Sequence, residues 1–527
     1  MLHTSLAAAL LAPSPAPIPQ DQVLDLLPAG SPIVLAVGDL AGAIAAEEKP
    51  AWIAFMTDPR IRDIFSAVTE LDDELESGEE RQILMEVVRS IRGGGFAVTD
   101  ANLGTLVGAL RVTDDFVPAM TRLVGAMDDE MVESDVLGMK GLRTLESGME
   151  GLTLVEVGGL MLFGGGSHDM VDEELKSVVE AMEDSSGDAR WWTSSAAPRV
   201  DGPMVELFLS LDVVADMEAE FAEVFDDPGS AYLGLGVGEG REGAATLWMD
   251  FGPNEFMRAL APAFGEADAG LLDLAPQGAL AVTALNVDIG ALLQAAFLLS
   301  GDADAESAYS AALEAGSSTL GVDIEEEILG NLTGDMAFVQ WPVPADLLGA
   351  EDPEAVAAIA PTLMFGISDS EPFYTLIETA EGFLGPAGLE AVEISDGTIW
   401  STEPVPGVEI SLALTETQLI LGTSDRVDAL LARSGGPKGA GMLGETELAA
   451  AGEMLEGAYI SAVNLAEGFG MAVAALESDT AMADDTPEEV AEMMIDAMSI
   501  AAEYLDGPAF MSMSVGAKVV DVRMVTR

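Results

Sequence analysis

The chain has 527 residues, too many for one ordinary core and in the range of two to four domains. Hydrophobic residues make up 49%, so most of the chain is expected to fold rather than remain disordered. With 92 Asp and Glu against 21 Lys and Arg, the formal net charge of -71 repels nucleic-acid phosphates and excludes nucleic acid as a partner, while the lack of cysteine excludes disulfides, thiolate metal sites and cysteine nucleophiles.

The N-terminus, MLHTSLAAALLAPSPAPIPQ, has an apolar run from Leu6 to Ala12 followed by a Pro/Ala/Ser segment. Residues 1–20 are therefore expected to be a signal peptide and a Pro-rich linker, which places the mature chain in the periplasm or outside the cell. No Lys or Arg precedes the apolar run, and Pro13 and Pro17 fall at two cleavage positions.

Next comes DLLPAGSPIVLAVGDLAG, Asp25 to Gly42. Pro28 ends a turn, the apolar run IVLAV reads as a strand, Asp39 follows, and LAGAIAA reads as an amphipathic helix. The same design recurs along the chain: ALRVTDD to Asp115 before FVPAMTRLV, and FLSLD to Asp212 before VVADMEAEF. It returns as ALNVD to Asp288 before IGALLQAAF, and as ISAVN to Asn464 before LAEGFGMAV. A short polar side chain at such a junction accepts a backbone N–H of the first helical turn. Part of the acidic excess is thus explained as helix caps. The strands TLVGALRV, LTLVEVG and LMLFGG, and a closing hairpin turning at Gly516-Ala517, are joined by short turns, which predicts antiparallel pairing.

The opening stretch returns as LDLAPQGALAVTALNVDIG, Leu272 to Gly290. Gly94-Gly95-Phe96-Ala97-Val98 meets Gly334-Asp335-Met336-Ala337-Phe338, and TLVGALRVTDDF meets TLMFGISDSEPF, with Phe116 opposite Phe373. LMLFGGGSHDMVDEEL from Leu160 meets QLILGTSDRVDALL from Gln418, and LFLSLDV from Leu207 meets YISAVNL from Tyr459. The closing hairpins from Tyr232 and Phe510 complete the set. Ordered recurrence over half the chain predicts a tandem duplication, not a solenoid. The expected fold is α+β: two tandem homologous domains, 21–269 and 270–527, each a mainly antiparallel sheet with helices packed on one face.

The start of the first copy, Leu27-Pro28-Ala29-Gly30-Ser31 before an apolar strand, Asp39-Leu40 and a helix, resembles secreted proteins of unknown function from planctomycete-type bacteria. In those, a Leu-Pro-Ala-Asp-Thr/Ser-like start precedes a strand and then a helix. The second copy departs from the pattern with Ala275-Pro276-Gln277-Gly278-Ala279. The resemblance implies no activity.

Chemistry-bearing motifs are sparse. The two histidines are His3, in the expected signal peptide, and His168, opposite Ser424 of the second copy. His168 is read as a structural helix-entry residue, which leaves Ser-His-Asp catalysis and zinc binding almost without material. Gly238 to Gly243 matches G-x-G-x-x-G, but the strand-like ATLWMDF follows where a dinucleotide site needs a helix. Asp302-Ala303-Asp304-Ala305-Glu306 begins like a calcium loop, yet Ser307 and Leu313 stand where Gly and Glu are required. Asp72-Asp73-Glu74, Asp128-Asp129-Glu130 and Asp484-Asp485 could associate weakly with Ca²⁺ or Mg²⁺, though a solvated acidic face explains them more simply. Trp191-Trp192 is read as packing a linker onto the domain.

The most apolar stretch, Ala279 to Leu299, is broken by Asn286, Asp288 and Gln294 and is not expected to span a membrane. No catalytic, cofactor-binding or metal-ligating residue is nominated. The expected function is a non-enzymatic binding or structural component of the cell envelope, with an unidentified protein or envelope component as partner. The rivals are a carboxylate-based hydrolase with a cleft between the halves, and a low-affinity calcium-dependent surface protein.

Overall fold

The computed structural model describes residues 23–39, 51–56, 58–61, 64, 78–99, 105–126, 130–144, 151–183, 190–192, 197–200, 202–212, 229–237, 243–252, 255–300, 303–344, 347, 353–384, 389–434, 436–454, 456–477, 488–505, 507–516 and 519–526. The class is α+β, and the strand pairings within each unit are antiparallel. The chain divides into two compact units, Met1–Phe251 and Gly252–Arg527. Residues just ahead of 270 pack on the second unit: Gly265 N–H donates to the Asn286 carbonyl, and Ala267 N–H to that of Gly457.

The first unit holds β1 (Ile33–Val37), β2 (Ile91–Val98), β3 (Leu106–Val112), β4 (Met131–Val136), β5 (Met139–Thr144), β6 (Gly151–Val157), β7 (Leu160–Gly166), β8 (Pro203–Ser210), β9 (Ser230–Val237) and β10 (Gly243–Asp250). Their order is β4-β5-β6-β7-β3-β2-β1-β8-β9-β10.

The second unit holds β11 (Ala281–Asn286), β12 (Leu332–Gln340), β13 (Thr362–Ile367), β14 (Glu390–Ile394), β15 (Gly397–Val405), β16 (Val408–Thr415), β17 (Gln418–Thr423), β18 (Tyr459–Asn464), β19 (Pro508–Val515) and β20 (Val519–Thr526). They run β14-β15-β16-β17-β13-β12-β11-β18-β19-β20. Counted from its own first strand, each unit follows the same order.

Helices lie on both faces of each sheet, not on one face as the sequence suggested. In the first unit, α1 (Gly78–Ser90) and α2 (Phe116–Ala126) pack through Val87, Phe116, Ala119 and Met120 onto Val37, Leu110 and Met161. On the opposite face α3 (His168–Glu183) lies over Gly164, where an added Cβ would stand 2.2 Å from Val171 Cγ1. The second unit adds α4 (Ile289–Ser300), α5 (Glu371–Leu384), α6 (Ser424–Ser434), α7 (Glu445–Met454) and α8 (Leu465–Glu477). There α6 and α7 share one core with Ala413, while α5 shares another with Leu414. Adjacent strand residues point to opposite faces, so these helices flank the sheet. The physical cause is that inner strands are apolar on both sides; Ala109 and Leu110 of β3 are both buried.

The repeated opening forms a clasp in both units. Ser31 N–H donates to the Pro28 carbonyl and Ala279 N–H to that of Pro276, closing equivalent turns. The carbonyl of Asp25 then accepts from Arg190 Nε at 3.2 Å, and that of Asp273 accepts from Arg433 Nε and Nη2. The Arg433–Asp273 ion pair, at 2.6 Å, is largely buried. Gly94 and Gly334 both have positive φ beside bulged registers, a conformation costly for other residues, but pairing sets Met336 opposite Leu285 where Gly94 stands opposite Val37, two residues away from the match made in sequence.

Two expected caps are present: Asp288 Oδ1 accepts from Ala291 N–H at the start of α4, and Asn464 Oδ1 from Glu467 N–H at the start of α8. The helices expected after Asp39 and Asp212 lie outside the described residues. No described helix is long and apolar enough to cross a membrane.

Candidate functional site: an apolar sheet face

The register of the first unit places three rows of side chains on one face of six adjacent strands. One row runs Leu106, Val98, Ile33, Leu209, Ala231, Met249. The next runs Gly108, Phe96, Leu35, Leu207, Leu233, Leu247. The third runs Leu110, Gly94, Val37, Val205, Leu235, Ala245. Directly paired residues share a face, so this is a strip of apolar residues and glycine without a polar side chain, roughly 24 Å wide across the strands.

Helices α1 and α2 cover the Leu110–Val37 part of the strip. Beside them Ile33, Leu35, Phe96, Val98, Leu106 and Leu207 line an open hollow of about 400 Å³, a size suited to a small ligand or part of a larger one. Farther along, Leu233, Leu235 and Leu247 are 39%, 42% and 36% exposed. Exposed apolar side chains set side by side in this way make the face a candidate interaction surface.

The corresponding face of the second unit is interrupted. Its middle row carries Thr283 and Ser461, whose hydroxyls lie 3.1 Å apart. The neighbouring row includes Gln340 and Thr526. The common strand order therefore does not require an unbroken apolar strip.

Acidic hollows occur in the second unit. One, of about 350 Å³, is lined among others by Glu409, Asp425 and Arg426, and another, of about 410 Å³, by Asp396 and Asp428. Burial draws the Arg426 guanidinium below its ordinary pKa, against the pull of Asp425. Its Nη atoms are occupied by the carbonyls of Ala357, Ala358 and Ala360, where they cap the helix Pro353–Ile359. The carboxyl of Glu174, on α3, is raised by burial and then by Glu173, against a hydrogen bond with Thr99. Glu174 lines neither hollow. Among the described residues no group of three or more His, Asp or Glu is placed to hold a metal.

His168 is the first residue of α3 and packs against β6, where a Cβ on Gly151 would stand 2.5 Å from its Cε1. Its Nδ1 is buried without a hydrogen-bond partner, and its counterpart Ser424 hydrogen-bonds to Ser411 at 2.7 Å. Gly151→Ala is therefore expected to cost about 1–3 kcal/mol by overpacking, and much less in a His168→Ser background. Urea unfolding of the four-member cycle measures this; equal costs in both backgrounds would contradict the packing. Trp192 is buried and Trp191 Nε1 donates to the Ser31 carbonyl at 3.0 Å, so this pair holds its segment to the unit.

A second buried group in the first unit joins Arg199, Glu206 and Tyr232. Glu206 is 1% exposed and accepts from Arg199 Nε at 2.7 Å and from the Tyr232 hydroxyl at 3.0 Å. Arg199 Nη2 also pairs with Glu206. This group contains one carboxylate, whereas glycosidase chemistry uses two. Burial, and to a lesser degree the Glu206 charge, push the Tyr232 phenol well above its ordinary value, against a backbone hydrogen bond from Val200. A proton held by the folded state and lost from the unfolded chain above pH ~10 means that stability falls as pH rises past that point. Tyr232→Phe is expected to flatten this alkaline loss, as read by urea midpoints between pH 8 and 11; an unchanged slope would contradict it.

Of the other sequence candidates, His3, the clusters Asp72-Asp73-Glu74, Asp128-Asp129 and Asp484-Asp485, residues 238–242 and Asp302 lie outside the described residues. The strip leucines were not singled out from sequence, although the Leu-Gly-Leu-Gly alternation in β9 already placed Leu233 and Leu235 on one face.

No family model matches the chain, and no curated protein matches it. A solved structure of TP0453, crystal form I, aligns over 46% of this chain and 82% of its own length, with 11% identity and a TM-score of 0.24. That likeness is too slight to bear on fold or function.

Proposed function

We propose that this protein is an exported, non-enzymatic binding component of the cell envelope, built by tandem duplication, whose first unit holds an apolar ligand against its sheet. The carrying observation is that the apolar strip of that unit is unbroken, whereas the corresponding face of the second is interrupted by hydroxyls. A fold requirement would act on both units; an apolar strip in one of them is better explained by binding. Each ligand CH₂ removed from water contributes about 0.8 kcal/mol, so a hollow of this size supports useful affinity without polar anchors. Export rests on the apolar N-terminal run, and duplication on the ordered segments, the shared strand order and the paired Arg–Asp clasps.

The test is fluorescence titration of the full chain with N-phenyl-1-naphthylamine, an uncharged apolar probe. Saturable binding is expected, weakened about tenfold or more by Leu207→Asn, which places an amide in the hollow. Circular dichroism of the variant separates lost binding from lost folding. Absence of saturable binding, or equal binding by a folded Leu207→Asn variant, would reject the proposal.

A further inference from the structure

Resting on that reading of the strip, we infer that its ligand is an alkyl chain whose head group carries no negative charge. The hollow is lined by six side chains without a polar atom, so nothing within it can hold a carboxylate or phosphate. Basic residues on the six strands are confined to Arg92 and Arg111. Arg92 is paired with Asp39 at 3.3 Å. Arg111 follows the strip residue Leu110 directly in β3, so its side chain leaves from the opposite face. Among the described side chains of the flanking helices, Arg122 is paired with Glu86, and Arg89 stands in the last turn of α1, where the helix carbonyls attract it.

The longer-range field has the same sense. Residues 1–251 contain 46 Asp and Glu against 14 Lys and Arg, a formal charge of -32. An anionic head at the rim of the hollow is repelled by this body, an uncharged head is indifferent to it, and an ammonium is attracted. At about 0.01 M ionic strength the screening length is roughly 30 Å, so most of the unit acts on the head; at 1 M it is about 3 Å and only close neighbours count. Chain length sets affinity through buried area, and charge sets which heads are admitted.

The test uses three probes with one dodecyl chain and different heads, each titrated below its micelle concentration by calorimetry: dodecyl maltoside, dodecylammonium and dodecanoate. At about 0.01 M salt, dodecanoate is expected to bind about tenfold or more weakly than the other two, and at 1 M the three should converge to within a few-fold. The variant Leu233→Ser/Leu247→Ser, altered at exposed positions that tolerate change, should weaken all three at 1 M. Dodecanoate binding as tightly as the maltoside at low salt would overturn the charge selectivity while leaving the apolar site standing. Failure of all three probes at both salts would instead reject the apolar site itself. Dodecylammonium binding that persists at 1 M and ignores the leucine variant would show attraction to the acidic surface rather than to the strip, and would overturn the inference.

Discussion

Arg199→Met is expected to destabilise the first unit by about 3 kcal/mol, and Arg199→Met/Glu206→Ile to recover most of that loss. Glu206 is 1% exposed, and Arg199 supplies its charge-matched hydrogen bonds. Removing the guanidinium leaves a buried carboxylate with the Tyr232 hydroxyl as its remaining donor among the described contacts, and an incompletely paired buried charge is costly. The rescue follows from the second unit. Register places Ile460 opposite Ala284 as Glu206 stands opposite Ala36, so an apolar residue fills the equivalent position there. Phe510 likewise stands where the first unit has Tyr232. Urea unfolding of the full chain, followed by tryptophan fluorescence and circular dichroism, reads both effects. A loss below about 1 kcal/mol for the single variant, within the range of ordinary surface changes, would contradict the buried pair, as would a double variant no better than the single.

Added salt is expected to raise the melting temperature by about 10 °C between low and molar NaCl, since a few kcal/mol in a unit of this size shifts melting by that much. The net charge of -71 is carried by two compact units, each of which repels itself, and unfolding moves the charges apart. Salt shortens the screening length from roughly 8 Å at 0.15 M to 3 Å at 1 M and weakens that repulsion. Several ion pairs oppose the gain, including Arg433–Asp273 and Arg143–Asp172, but these are partly buried and little screened. A melting temperature flat or falling with NaCl would contradict the account. A much larger rise in CaCl₂ at matched ionic strength would point to specific calcium sites.

The sequence carried the class of fold and the recurrence of segments because both are local. Strand-to-helix junctions at Asp288 and Asn464 announce themselves by residue type, and the Pro-containing openings near Asp25 and Asp273 recur almost in register. The placement of helices is not legible in the sequence, because the pattern of a single strand does not say what covers each face. In β3 the run LVGALRV is apolar at odd and even positions alike, which is the mark of a strand covered on both sides. The candidate site was hidden for a related reason. Leu35, Leu207, Leu233 and Leu247 are far apart in sequence and become one row only through the pairing of β1 with β8, β8 with β9, and β9 with β10. Leucine in a strand reads as core until the fold shows that its face is open.

The most direct test of an apolar binding face in the first unit is photo-crosslinking of the full chain with an uncharged alkyl probe bearing a diazirine at its chain end. Adducts mapped by mass spectrometry are expected on β1, β2, β3 and β8, at Leu35, Phe96, Leu106 and Leu207, and to fall when unlabelled dodecyl maltoside competes. Adducts concentrated on the second unit, or spread over the chain without competition, would contradict the account.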